Sequence, residues 1–242
     1  MSISDQLPAV THEMIVRAVP LLVPLYGERQ LTPCPDNLAE LIYTILSHRT
    51  TKADEQEAFR RMWAAFNTWE AIENAPLPDL IETLSLSRFP ERKAPYIQNT
   101  LRAIRERTGG YSIDFLHSLS TEDALTWLLT LPGVGFKTAT LVLLFCFHRP
   151  VLPVDTHVHR VSIRLGIIPA KMSQETAHVR LLAMFPPDAH LLYNFHKLFL
   201  KHGQQLCTFS SPRCSRCPLV AFCPYGQARM AGKTLTAPPP PG

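Results

Sequence analysis

Two single residues and one cluster have the types and spacing to do chemistry. Lys137 follows a Pro-Gly-Val-Gly turn (132–135) and opens an apolar run. A lysine in the first turn of a helix has the positive end of the helix dipole beside it. Dipole and partial burial both disfavour the ammonium, so a lowered pKa is expected. A neutral amine is a nucleophile that can form a Schiff base. The bland alternative is a surface lysine touching phosphate. Asp155 precedes Thr156, where a carboxylate caps the next helix, and capping is compatible with catalysis. The turn residues Gly133, Val134 and Gly135, with Thr138 just after, open a helix whose first N–H groups have no partner within it. Such a terminus binds phosphate without reading sequence. A plain helix–helix connection explains the turn, taken alone, equally well.

Cys207, Cys214, Cys217 and Cys223 follow the pattern C-x6-C-x2-C-x5-C. Cysteines clustered in this way point to a metal rather than to disulfides in a reducing compartment. Four thiolates suit a structural zinc ion or an iron–sulfur centre. Arg213 and Arg216 lie in the same loop, placed to meet phosphate. Cys34 and Cys146 stand outside it, and Cys146 reads as a buried core thiol.

The elements that position these groups read as helices throughout. Apolar residues at helical spacing mark a helix from residue 11, which Pro20 and Pro24 should kink or end. Asp36 or Asn37 caps a helix over 38–47, and others follow at 53–67, 69–74 and 79–84. Residues 85–95 read as a loop between prolines, and 96–108 as a helix ended by Gly109 and Gly110. Ser120 with Asp123 resembles a capping box for 121–131. The periodicity then gives helices at 137–148, 155–165, 173–184 and 188–203. No long alternation suggests a strand, so the class is all-α. The start MSISDQLPAV lacks the pattern of a secretory signal, and the longest apolar run is too short to span a bilayer. These features make a cytoplasmic location the expectation. The net charge of +4 is compatible with nucleic acid without establishing it. Basic residues gather around positions 49–61 and 88–107, and solvated helix faces would explain either group.

The stretch L-P-G-V-G-x-K-T-A (131–139), followed by V-D-T-H-x-x-R (154–160), resembles the helix–hairpin–helix DNA glycosylases, specifically the endonuclease III branch. The resemblance runs from about residue 30 to residue 225. It implies two α-helical domains flanking a DNA-binding cleft. The first would be a six-helix barrel, 30–149, carrying the helix–hairpin–helix. The second would join 1–29 to 150–225 around a [4Fe–4S] cluster on the four cysteines, with 226–242 a disordered tail. The implied activity is base-excision repair of oxidised or ring-saturated pyrimidines. Lys137 would attack the sugar and then support β-elimination, Asp155 would stabilise positive charge on the sugar, and His157 would lie near the base. Damaged DNA is the implied partner of a monomer, associated with the nucleoid if the source is bacterial.

The chain departs from the family pattern in two places. Arg49 stands where a glutamine usually fills the gap left by the flipped base. The second wedge loop, 84–94, is longer than usual and offers Leu86 or Phe89. An abasic-site lyase with weak glycosylase activity, an adenine-mismatch glycosylase and a DNA-structure-binding protein are the competing readings. Lys137 argues against the second of these.

Overall fold

The computed structural model describes residues 9–233 and, among these, consists of helices joined by loops and turns, with no strand. The chain divides into two compact units. One is Thr32–Arg149, and the rest of the described chain, before and after it, forms the other.

The Thr32–Arg149 unit holds α2 (Asn37–Ser47), α3 (Lys52–Phe66), α4 (Trp69–Asn74), α5 (Leu77–Thr83), α6 (Pro90–Thr108), α7 (Thr121–Leu129) and α8 (Phe136–Phe145). Seven consecutive residues of α8, from Thr138 to Leu144, are buried. A helix apolar on all sides belongs inside a core. It packs against α2, whose Leu38, Leu41, Ile42 and Ile45 form one buried stripe, and against α7. The expected caps form: Asp36 accepts from Ala39 N–H at 2.9 Å and Ser120 from Asp123 N–H at 3.0 Å. Each such cap contributes about 1 kcal/mol. Gly109 ends α6 at φ +76°, a left-handed position that glycine adopts without strain.

Two expectations about prolines are corrected. The 85–95 stretch is not loop throughout, because α6 begins at Pro90 and runs through Pro95. Pro90 occupies the first turn, where its missing N–H has no helical partner to lose. Pro95 forfeits a single bond to the first turn, while Lys93, Ala94 and Ile97 around it are buried. In the other unit α1 (Ala9–Tyr26) continues through both Pro20 and Pro24. Both prolines are exposed, so carbonyls left without a helical donor there can bond water, while Ile15, Ala18 and Leu22 are buried.

That second unit also holds α9 (Thr156–Arg164), α10 (Gln174–Leu182), α11 (Ala189–Gln205) and α12 (Pro224–Met230). The long helix α11 packs on α9 and α1 through Leu192, Phe195, Leu198 and Phe199. α9 and α11 approach closely at Gly203, where a Cβ would stand 2.8 Å from His157 Cβ. The expectation of a structureless tail from Gly226 is corrected for residues 226–230. Cys223 caps α12 through its sulfur, and the helix packs on α9. Residues 234–242 lie outside those described.

Both basic groups lie largely at the surface, and several of their members are paired there. Arg60 and Arg61 pair with Glu57 along α3. Arg105 binds the buried Glu73 through two bonds of 2.9 Å, and Tyr111 donates to the same carboxylate at 2.7 Å. The Arg105 guanidinium holds the Glu73 carboxyl below its usual range despite burial, which ties α4 to α6. Lys93, by contrast, is buried. Arg49, Lys52, Arg88 and Arg92 remain exposed.

Candidate active site

Within the Thr32–Arg149 unit, the turn after α7 delivers Lys137 into the first turn of α8, half-buried. Gly133 sits at φ +75°, and a Cβ there would meet the Tyr96 ring at 2.8 Å. Only glycine fits on both counts. Thr100 Oγ1 donates to the Pro132 carbonyl at 2.6 Å, which fixes the turn to α6. Gly135 is exposed with open space around it. Two of the residues expected near phosphate turn their side chains inward. The Val134 side chain is buried, and its N–H donates to Leu131 O at 3.2 Å, closing the turn. Thr138 is buried and its hydroxyl lies 3.1 Å from His48 Nε2. A phosphate at this turn would therefore be held by backbone N–H groups opening α8, not by these side chains.

His48 is a neighbour of Lys137 that no sequence signal announced. Burial, reinforced by the Lys137 and Lys93 ammonium groups, holds its pKa down at about 4, so the ring is neutral at physiological pH. Glu55, buried at the start of α3, has its carboxyl pushed up by burial, while Tyr43, Lys52 and Lys137 among its neighbours act the other way. Arg49 follows His48 at φ +55°, a left-handed conformation uncommon for arginine, and its side chain is exposed.

Asp155 lies in the other unit and is 7% exposed. Its Oδ1 accepts from His157 N–H at 2.9 Å and Val158 N–H at 2.7 Å, capping α9. The segment leading to it is held from several sides. His196 Nδ1 donates to Pro153 O at 3.0 Å, His178 Nδ1 to Leu152 O at 2.8 Å, and Gln174 Nε2 to Val154 O at 2.6 Å. Those three side chains come from α10 and α11, beyond the reach of a local motif. Arg160 is buried on backbone carbonyls, reaching Gly203 O at 2.8 Å and Cys207 O at 3.0 Å. Its role is therefore structural. His157 Nδ1 lies 3.1 Å from Arg160 Nη2.

Cys207, Cys214, Cys217 and Cys223 all line one hollow. Among the described residues, no three His, Cys, Asp or Glu side chains stand close enough to hold a single metal ion. The sulfurs surround a space instead, and donors face three of them. Arg164 Nη1 lies 3.3 Å from Cys207 Sγ, Gly226 N–H donates to Cys223 Sγ at 3.3 Å, and His202 Nε2 is 3.5 Å from Cys217 Sγ. Burial pushes the Cys217 and Cys223 thiols up to about 11, so any metal they bind must displace their protons. Arg213 and Arg216 are exposed on this loop. Among the described residues no helix is long and apolar enough to cross a membrane.

The model of the HhH-GPD superfamily of base excision DNA repair proteins matches residues 42–187. Endonuclease III of Thermotoga maritima is 32% identical over 198 residues, covering 82% of this chain and 87% of that one. The DNA glycosylase/AP lyase ROS1 of Arabidopsis thaliana is 28% identical over 185 residues, which are 70% of this chain but 13% of that much longer protein. Among solved structures, a non-covalent endonuclease III–DNA complex superimposes with a TM-score of 0.78 at 25% identity, covering 91% of this chain and 98% of that one.

Proposed function

The chain belongs to the HhH-GPD superfamily of base excision DNA repair proteins, in its endonuclease III branch, and from that premise we propose how its own residues divide the work. It is a DNA glycosylase and abasic-site lyase, and the damaged bases it removes are oxidised or ring-saturated pyrimidines. The Lys137 amine attacks C1′ of the damaged nucleotide's sugar, the glycosidic bond breaks and the base departs. The sugar ring then opens: the C1′–O4′ bond breaks, O4′ takes up the proton lost from nitrogen, and an imine forms between Nζ and C1′. Removal of a C2′ proton then expels the 3′ oxygen and nicks the strand. The Asp155 carboxylate offsets positive charge that develops on the sugar as the base leaves. His157 lies near that base. Backbone N–H groups of the glycine turn hold a phosphate, and Arg213 and Arg216 add contacts outside the site. Chemistry on a paired base requires its extrusion. Arg49 takes the place it vacates, and Phe89 or Leu86 wedges the strand. The observation that carries this reading is Lys137 in the first turn of α8, directly after a turn that only glycine can make at 133.

Cys207, Cys214, Cys217 and Cys223 would ligate a [4Fe–4S] cluster, which would hold residues 207–223 in one shape. The four cysteines line one hollow, and four thiolates are the ligand set such a cluster takes. The N–H groups of Arg164 and Gly226 are placed to donate to thiolate sulfurs. Purified protein should carry about four irons per chain with broad visible absorbance. Stoichiometric zinc without iron would remove this assignment.

The functional test is borohydride trapping on duplex and single-stranded DNA containing thymine glycol or an abasic site. Covalent complexes on both lesions are expected. Trapping at the abasic site alone would leave a lyase without base removal, and none at either, despite binding, would leave a DNA-binding protein.

A further inference from the structure

Lys93 is the most deeply buried lysine among the described residues, 5% exposed, in the first turn of α6. Its ammonium lies 2.7 Å from Leu46 O, 2.8 Å from His48 O, 2.9 Å from Thr50 Oγ1 and 2.7 Å from Ser87 Oγ. All four are neutral acceptors. Two are carbonyls at the C-terminal end of α2, where the helix dipole is negative and no further N–H follows. Burial lowers the Lys93 pKa to about 8, which leaves the group mainly protonated near neutral pH. A buried ammonium whose hydrogen bonds all go to neutral groups, with the Glu55 carboxylate acting on it only at a distance, is a costly way to stabilise a core. Its partners indicate another use.

The four acceptors belong to two loops. Leu46, His48 and Thr50 end α2 and lead into α3, while Ser87 lies between α5 and α6. Arg88 N–H also donates to Thr50 Oγ1 at 3.1 Å, and Ser87 Oγ is 3.2 Å from it. Each loop carries one exposed side chain on a residue forced to positive φ: Arg49 at +55° and Phe89 at +59°. Lys93 grips both. Its ammonium binds the carbonyl of His48, immediately before Arg49, and Ser87 Oγ, two residues before Phe89. Neither conformation is one that arginine or phenylalanine adopts readily, so surrounding structure must impose it.

We propose that Lys93 is a positioning residue that locks the loops bearing Arg49 and Phe89 into one rigid unit, so that the two side chains enter the duplex together when a base is extruded. The proposal rests on reading Arg49 and Phe89 as the inserting side chains. It gives Lys93 no contact with the substrate. Pre-ordering the inserting groups lowers the entropy lost when they engage, and a small misplacement there carries a large rate penalty.

The test is Lys93→Met, assayed on two substrates. On duplex thymine glycol DNA with 2-aminopurine beside the lesion, excision and the fluorescence rise on extrusion should both fall about tenfold to a hundredfold. On a single-stranded abasic site, where no base is extruded, borohydride trapping should be unchanged. Equal losses on both substrates would mean that Lys93 only supports the fold, and no loss on the duplex would mean that it positions nothing; either result overturns the proposal. If Lys93→Met does not fold, Thr50→Val with Ser87→Ala keeps the lysine and removes two acceptors. It is read on the same substrates by the same criteria. Arg49→Ala with Phe89→Ala separates the two levels of inference. Should that pair leave duplex excision intact, the insertion reading fails and the proposal with it. Should the pair lose activity while Lys93→Met does not, only the positioning role fails.

Discussion

Lys137→Ala should abolish both borohydride trapping and nicking at abasic sites, with a loss of more than about a thousandfold, because no other group replaces a missing covalent nucleophile. Binding to the same DNA should change little, since the backbone of the glycine turn is untouched. The fold should survive as well. Lys137 is only half-buried, and alanine is the better helix former in the first turn of α8. Melting temperature, a binding titration and a gel of trapped complexes separate these effects. Undiminished nicking by the alanine variant would remove Lys137 from the reaction.

Asp155→Asn should lower base excision on the order of 100- to 1000-fold, the range found when one electrostatic partner of a transition state is lost. Asparagine caps helices as well as aspartate does, so the bonds to His157 and Val158 N–H should persist and the melting temperature should hold. Asp155→Ala loses the charge and the cap together, and should cost a further ~1 kcal/mol of stability. The asparagine variant is therefore the informative one. Full excision by Asp155→Asn, with loss only in Asp155→Ala, would reduce Asp155 to a cap.

Local signals in the sequence were legible wherever their physics is local. Asp36, Ser120 and Asp155 all cap the helices that they precede. A cap needs only its own next turn, so spacing suffices to find it. The glycine turn, Lys137 and the cysteine run were likewise within reach of a linear pattern. The prolines of α1 and α6 misled because a helix tolerates a lost bond when one face is solvated or the flanking residues are buried, and burial is a tertiary fact. Lys93, His48, His178 and His196 were invisible for a related reason. Most of their partners lie far along the chain, 26 residues away for His178–Leu152, 43 for His196–Pro153, 47 for Lys93–Leu46 and 90 for His48–Thr138. The two basic groups are surface charge, as read, except for the buried Lys93; the pairing of Arg105 with Glu73 escaped notice because the two are 32 residues apart.

The unit that carries Asp155 and the four cysteines is assembled from residues on both sides of Thr32–Arg149, and this sets an order on its formation during synthesis. Arg29 N–H meets Asn194 Oδ1 across 165 residues, and Tyr26 OH meets His202 across 176. The Thr32–Arg149 unit has its internal partners as soon as residue 149 has emerged from the ribosome. α1, made before that unit, must keep Ile15, Ala18 and Leu22 uncovered until α11 has followed. An element made before the Thr32–Arg149 unit is thus buried only after that unit is complete. A chain halted before residue 189 would retain a folded middle beside an unpaired apolar helix, the kind of exposed surface on which aggregation and chaperone capture act.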